Sequence, residues 1–425
     1  MKPGGTRAAL AAWCLYDWAL SAFSAVVVTF VFATYFTKLV APTPEQGTAL
    51  WGWAMGLSGV AVAIIAPVAG AIADRAGRRL PWLLALTVVA AVVIAALWLV
   101  EPDPGFVVLG LVLIASANLA TELAAAFYNA LLPGLAPPGR MGRLSGWGWG
   151  LGYAGGLAAL AIVLLLFVWP ETPAFGLDKS KAEHVRAAAP LAALWLLIFS
   201  APLFLLLREP PAPRIGPIEA TREGLALLGR TLRTLRRQPT ILRFLIAHML
   251  YTDGLNTLFA FGGIYAAGSF GLDFAQVLLL GILLNVTGGI GAALGGSIDD
   301  RIGPKPTIAI SLMALIAIGA GLLLIEGKLA FWALALLLGL FIGPTQAASR
   351  SLMARLSPPE IVGEIFGLYA LSGKITAFLG PIALAIATTA FASQRAGMAT
   401  IVLLLAAGLA VLLPLKINGE SGGRR

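Results

Sequence analysis

Four ionisable side chains stand inside long apolar runs of this 425-residue chain: Asp17, Glu122, Asp253 and Lys374. A charge at the centre of a lipid-embedded helix costs about 3 kcal/mol or more, so each needs a partner or a task. A carboxylate held in an apolar cavity can take up and release a proton near neutral pH. Glu122, Asp253 and Asp17 are therefore the candidate proton-coupling groups. Lys374 could hold the carboxylate of a solute or neutralise a buried acid. The alternative is that all four form static ion pairs between helices.

Helical geometry gathers further polar residues around these charges. At ~100° per residue, Asn118, Glu122 and Asn129 share one face, as do Asp253, Asn256 and Thr257, and Asp17, Ser21 and Ser24. Lipid-facing helices would not carry such stripes, so they read as cavity walls. Tyr153 and Trp149 sit among the closely spaced glycines that follow Gly146 and are candidate substrate contacts. His248 lies ~140° around the helix from Asp253 and reads as a packing residue.

The elements that must position these groups are membrane helices. Apolar residues make up 59% of the chain and charged ones only 12%, half the roughly 25% of soluble domains. The polar residues fall in short strips between segments long enough, at ~20 residues, to cross a bilayer. Twelve spans are expected, at about 12–38, 49–73, 80–100, 105–132, 143–169, 188–207, 240–266, 274–298, 306–325, 330–354, 361–389 and 396–415. The fold class is all-α integral membrane. Residues 1–207 form one six-helix half, 208–239 a basic linker and 240–425 the second half. In the linker, Leu225, Leu228, Leu232 and Leu235 alternate with Arg222, Arg230, Arg233, Arg236 and Arg237, which suggests a helix lying on the membrane surface.

The net charge of +9 is a matter of location, and it indicates orientation in the membrane instead of a nucleic-acid partner. Most Lys and Arg fall on one side, among them Arg75, Arg78, Arg79, Arg140, Arg143, Arg301, Lys305, Arg350 and Arg355. The positive-inside rule makes that side, with both termini, cytoplasmic. The first apolar run is too long for a signal-peptide core and reads as an uncleaved span. Cys14 is the sole cysteine and allows no intramolecular disulfide. With it, His184 and His248 cannot make a transition-metal cluster of the usual spacing. No Gly-Lys-Ser/Thr phosphate loop or nucleophile elbow is present, so an ATP-driven pump, an enzyme or a cofactor is not expected.

Two motifs recur. Gly70-x-x-x-Asp74-Arg75-x-Gly77 is matched by Gly296-x-x-x-Asp300-Arg301-x-Gly303, and Pro137-Pro138-x-x-x-Gly142-x-x-x-Gly146 by Pro358-Pro359-x-x-x-Gly363-x-x-x-Gly367. Each half holds an even number of spans, so the repeats are parallel, related by an axis along the membrane normal. Gly77 and Gly303 can take the positive φ of a tight turn. Asp74 and Asp300 can meet the N-terminus of a neighbouring helix, where the dipole favours a carboxylate. With the loops aligned on their Pro-Pro pairs, Glu122 falls opposite Gly343 and Lys374 opposite Tyr153, so the duplication fails where solute chemistry is expected.

Two six-span halves, a basic middle loop and Gly-x-x-x-Asp-Arg-x-Gly after spans two and eight resemble the major facilitator superfamily over essentially the whole chain. Trp13-Cys14-Leu15-Tyr16-Asp17-Trp18-Ala19, Tyr128-Asn129-Ala130-Leu131-Leu132-Pro133 and Gly152-Tyr153-Ala154-Gly155-Gly156 resemble its vacuole-effluxer-like branch, which includes exporters of amino acids from the vacuole. That branch usually has an Asn where this chain has Leu20, and the second motif lacks the paired arginines Arg78 and Arg79 of the first. The resemblance implies that spans one, four, seven and ten line a central cavity and that spans five and eight meet across the halves. It also implies that Gly70, Asp74, Arg75, Gly77, Arg78, Asp300, Arg301 and Gly303 form a conformational latch closing the cytoplasmic side.

The expected function is secondary active transport of a small polar or zwitterionic metabolite by alternating access, amino acids or peptides first, with protons as the coupling ion. The candidate substrate-binding residues are Lys374, Asn118, Asn129, Asn256, Thr257, Ser21, Ser24, Tyr153 and Trp149. A monomer in a bacterial-type inner membrane is the expected state. The alternatives are export of drugs or lipids, which wants a more apolar cavity, and a non-transporting sensor or assembly factor.

Overall fold

The computed structural model describes residues 6–209, 238–272, 274–374, 376–377 and 379–416, with residues 219, 221–223, 225, 226 and 229 of the connecting stretch. The surface helix expected over 208–239 falls largely outside these residues. Twelve membrane elements follow one another. They are α1 (Arg7–Val40), α3 (Leu80–Leu99), α4 (Pro104–Leu135), α5 (Met141–Val168) and α6 (Glu183–Leu206), with α2 (Pro44–Ala76), α7 (Pro239–Phe270) and α8 (Phe274–Ile302). The series closes with α9 (Pro304–Leu324), α10 (Lys328–Leu356), α11 in two segments (Val362–Ser372 and Leu379–Phe391) and α12 (Gln394–Leu412). Ten of the described helices are long and apolar enough to cross a membrane on their own. The 32-residue α7 and the divided α11 complete the twelve. Large apolar side chains such as Ile64, Val92, Ile198, Ile290 and Ile386 point outward around the bundle, as a lipid-facing surface requires.

Local chemistry sets the helix ends. Thr43 accepts the Gln46 N–H at 3.3 Å and starts α2. Gly77, at φ 66°, ends it in the left-handed conformation and turns its own N–H back to the Asp74 carbonyl at 3.2 Å. Gly303, at φ 93°, makes the corresponding turn after α8. Within α1 the chain widens into π-helix over Phe23–Phe30, and Thr29 donates to the Ser24 carbonyl there.

The eleventh span departs from the continuous helix expected over 361–389. It stops at Ser372 and resumes at Leu379. Pro381 has no N–H to give the carbonyl four residues earlier and its ring crowds that turn, while Gly373 adds conformational freedom. Proline is tolerated near a helix start, which is where the second segment places it.

The first six elements pack mainly on one another, through α1 with α5 and α6, and α3 with α4 and α6. The last six do the same, through α7 with α12, and α8 and α9 with α10. The halves meet along two seams, α5 against α8 and α2 against α11. Successive spans reverse direction, so the turns at Gly77, Pro137–Arg140, Gly303 and Ser357–Ile361 share one face of the molecule. We call it the motif face, and its opposite the far face.

Candidate transport site and its closure

A cavity of about 750 Å³ lies between the halves. Its floor, toward the motif face, is polar. Asp17, Asn129, Trp149 and Arg350 line it, with Glu122 and Lys374 on the walls. Its upper walls run toward the far-face ends of the helices, through Phe30 on α1, Gly262 on α7, Gly281 on α8, Leu322 on α9 and Phe331 on α10.

The main electrostatic element of the floor is Arg350. Its helix, α10, belongs to the second half, but the guanidinium is buried among α1, α4 and α5 of the first. Nη1 donates to Asp17 Oδ2 at 2.7 Å and to Asn129 Oδ1 at 3.3 Å. Nε reaches Ser145 Oγ at 2.9 Å and Nη2 the Ser145 carbonyl at 2.6 Å. The rings of Trp13, Trp149 and Tyr128 stand 4.8, 5.6 and 5.7 Å from the guanidinium carbon. Planar delocalised charge suits such a cage of carboxylate, carbonyl and aromatic faces.

Arg350, expected among the basic residues at the membrane boundary, is instead buried inside the bundle. It lies within the span expected over 330–354, and the Pro-Pro alignment matches it with Asn129. Those two facts were the available signal.

A second pair crosses the cavity above this floor. Lys374 Nζ, in the break of α11, donates to Glu122 Oε1 at 2.8 Å, and each side chain is 32% exposed. This pair is more open to the cavity than the Arg350–Asp17 pair, whose side chains are 4% and 18% exposed. Tyr153 also spans the halves, giving its hydroxyl proton to Gln346 Oε1 at 2.7 Å. Asn118 donates to Ser58 Oγ at 2.8 Å, Ser21 donates to the Asp17 carbonyl at 2.8 Å, and Ser24 lines the wall.

The stripe on α7 lies elsewhere. Asp253 and Thr257 are buried against the second segment of α11, where Asp253 Oδ2 accepts the Gly380 N–H at 2.9 Å and Thr257 donates to the Asp253 carbonyl at 2.8 Å. Asn256 is exposed, and none of the three lines the cavity. α7 presents Leu258, Phe259, Gly262 and Gly263 to the cavity instead. Asp253 and Thr257 share a face and Asn256 does not join them, and periodicity cannot say which neighbour a face meets. As a result the second-half wall is more apolar than expected, with Leu280, Leu284, Leu338 and Ile342 completing it.

The motif face is closed by a symmetric exchange between the repeats. Asp74 on α2 accepts from the Gly363 and Glu364 N–H groups at 3.0 and 2.8 Å, at the start of α11. Asp300 on α8 accepts from the Gly142 and Arg143 N–H groups at 2.8 and 3.1 Å, at the start of α5. Each carboxylate thus satisfies two unpaired donors of a first helical turn in the opposite half, where the helix dipole also favours it. The two recurrent motifs are partners: the Asp of one half binds the first glycine of the other half's pair and the residue after it. Close approach demands glycine, since a Cβ on Gly70 would collide with the Gly363 carbonyl oxygen and one on Gly146 with the Ala292 carbonyl.

The arginines around these caps differ from the expected set. Arg79, not Arg78, bonds Asp74, at 2.7 Å, and Arg78 is exposed. Arg75 pairs with Glu223 of the connecting stretch. Arg301 is exposed, and Arg355 and Arg143 attend Asp300, at 3.5 and 3.8 Å. Arg355 also binds the neighbouring Asp299 at 2.9 Å. The spacing of a motif fixes which residues are near the turn, and side-chain packing decides which arginine turns inward.

Twelve helices in two parallel halves around a polar-floored cavity define a membrane transporter of the major facilitator class. The model of the family described as "Vacuole effluxer Atg22 like" matches residues 48–422, and the chain belongs to that family. An MFS-type transporter, YxiO, of Bacillus subtilis (strain 168) is 26% identical over 403 residues, covering 94% of this chain and 93% of that protein. Autophagy-related protein 22-1 of Neosartorya fischeri is 25% identical over 310 residues, 66% of this chain, which spans 49% of that longer protein. Among solved structures, the transporter FucP in the outward conformation aligns with a TM-score of 0.72 at 14% identity, over 97% of this chain and all of that one (100%). The human organic anion transporter MFSD10 aligns with a TM-score of 0.71 at 17% identity, over 96% of this chain and 99% of that one. At these identities the structural likeness defines the fold alone.

Proposed function

We propose that the chain is a proton-coupled secondary transporter of a small zwitterionic metabolite, an amino acid or short peptide, working by alternating access. The observation that carries this reading is the Glu122–Lys374 pair. A carboxylate and an ammonium, one from each half, face each other at 2.8 Å on the cavity wall. A zwitterion entering between them exchanges one ion pair for two, its ammonium on Glu122 and its carboxylate on Lys374. The exchange leaves no buried charge unpaired, which is what a low-dielectric site requires. It also changes a contact that joins the halves, so that occupancy and conformation become linked. The description of the family, a vacuole effluxer, is in keeping with export.

The two aspartate caps serve in this reading as the latch that holds the motif face shut. The excess of Lys and Arg makes that face cytoplasmic and puts both termini there, in a bacterial-type inner membrane. The cavity, whose walls run to the far face, then belongs to an outward-facing state.

The test is uptake and counterflow of a labelled amino-acid and dipeptide library in proteoliposomes, with wild type, Glu122→Gln and Lys374→Met. Saturable flux of a zwitterion in wild type, lost in both variants, is the expected result. Flux that is indifferent to both substitutions would overturn the assignment. The apolar second-half wall favours a second reading, in which the solute is an amphipathic drug-like compound. Transport of such compounds, with no response to amino acids, would select it.

A further inference from the structure

The break in α11 has its two lips fastened to a single neighbouring helix. At the end of the first segment, Ser372 Oγ lies 2.8 Å from His248 Nδ1 on α7, and the His248 ring packs on Tyr369 at 4.1 Å between centroids. At the start of the second segment, the Gly380 N–H is bound by Asp253 Oδ2, also from α7, at 2.9 Å. Between the lips, Lys374 reaches across the cavity to Glu122. One helix thus holds both sides of the hinge from which the only described lysine of the cavity wall projects.

Asp253 differs from the other two candidate acids. Asp17 and Glu122 each face a cation, Arg350 and Lys374, at 2.7 and 2.8 Å. Asp253 has no ion pair among the described residues. It is 2% exposed, one oxygen is held by a backbone N–H, and Oδ1 is buried with no hydrogen-bond partner. A buried carboxylate oxygen with nothing to accept from is a place for a proton. A Cβ on Gly380 would meet Thr257 Oγ1 and come within 3.2 Å of Asp253 Oδ1, so the second segment lies close against this carboxyl.

We propose that Asp253 is the proton-carrying carboxyl of the transporter and that its charge state sets the hinge of α11. This rests on the proton-coupled reading given above and assigns the proton to one residue. Ionised, Asp253 caps the second segment through charge and helix dipole together. When a proton binds Oδ1 that attraction falls to a neutral hydrogen bond. The second segment is then released from α7, and Lys374 is freed from its geometry opposite Glu122. The proton is bound and released unchanged, and no other bond is made or broken. The titratable groups brought near this region are His248 and Tyr251 on α7 and Tyr369 and Lys374 on α11, while the Arg350 guanidinium of α10 is turned away to Asp17. α12 presents Leu404 and Leu405 to Gly254, and α8 presents Val277 to Gly263.

The test needs no substrate. In full-length protein carrying Cys14→Ser, spin labels are attached at Phe175→Cys and Leu329→Cys, exposed far-face positions of the two halves. The distance distribution in lipid nanodiscs is followed from about pH 5 to about pH 9, the range in which buried carboxyls titrate. The expected result is a pH-dependent shift in the parent, and its loss in Asp253→Asn, which stays in the low-pH distribution throughout. Asp253→Glu is the second variant, useful if Asn impairs folding, and its midpoint should move from that of the parent. A parent shift that survives unchanged in Asp253→Asn, or an unmoved midpoint in Asp253→Glu, overturns the assignment to Asp253 while leaving proton coupling in place. A parent with no shift at any pH overturns both. Failure of the zwitterion reading shows separately, in the flux library.

Discussion

Arg350 and Asp17, 333 residues apart in sequence, meet at 2.7 Å beneath the transport cavity and tie the second half of the molecule to the first. Removing one partner of a buried ion pair leaves the other charge uncompensated, at a cost of about 3–5 kcal/mol. Arg350→Met and Asp17→Asn should each lower the Tm of the detergent-solubilised protein markedly. The double variant, which removes both charges, should recover much of that loss. Single variants as stable as wild type would show that the cage contributes little to this state.

The aspartate caps make a prediction about populations. Each cap stabilises the state closed at the motif face by roughly 1 kcal/mol. Asp74→Asn or Asp300→Asn should therefore shift the closed-to-open ratio about fivefold. Alkylation of a cysteine placed at Asn129, in a Cys14→Ser background, should become correspondingly faster from the motif side. The two variants should resemble each other, because each carboxylate binds two N–H groups of a first helical turn. A large effect from only one would mean that the repeats are functionally unequal.

Contact between backbones at the seams predicts a steric effect of the same sign. Gly70→Ala sets a methyl group against the Gly363 carbonyl, and backbone cannot yield as a side-chain tip can. The motif face should then close incompletely, with raised alkylation at the same cysteine and reduced flux. Full activity in Gly70→Ala would mean that α2 and α11 need not approach so closely during the cycle.

Charge reversal tests the cavity pair. Glu122→Lys and Lys374→Glu, each alone, place like charges opposite one another at a site where the wild-type atoms are 2.8 Å apart. Both single variants should lose zwitterion flux. The combination restores the pair in reversed order and should regain measurable flux with a raised KM, since both ends of a zwitterion are still recognised. No recovery in the double variant, when it is folded and inserted, would argue that the order of the charges matters as much as their presence.

Much of the architecture was legible along the chain because its causes are local. Hydropathy over ~20 residues marks a span. Gly77 and Gly303 announce turns that need positive φ, and both adopt it. The break in the eleventh span also had a local signal, in Gly373 and Pro381, but apolar character runs through it and masks it.

The candidate site was legible in part. Asp17, Ser21, Ser24, Asn118, Glu122, Asn129, Trp149, Tyr153 and Lys374 do line one cavity. Asp253, Asn256 and Thr257 do not, and their wider angular spread on one helix leaves Asn256 exposed while the other two are buried. A helix face is a direction relative to its own axis, and rotation of that axis in the bundle is set by packing with α11 and α12.

Pairing was decided entirely in three dimensions. The sequence alone established the membrane solvent, the duplicated plan and the residue types available for chemistry, since composition, period and spacing are properties of neighbouring residues. Only the folded arrangement showed that Arg79 and not Arg78 turns to Asp74, or that Arg350 leaves the boundary charges to bind Asp17. It likewise showed that each repeat's carboxylate caps a helix of the other half. Such contacts join residues hundreds of positions apart, and their energies depend on distances of a few ångströms that no linear pattern encodes.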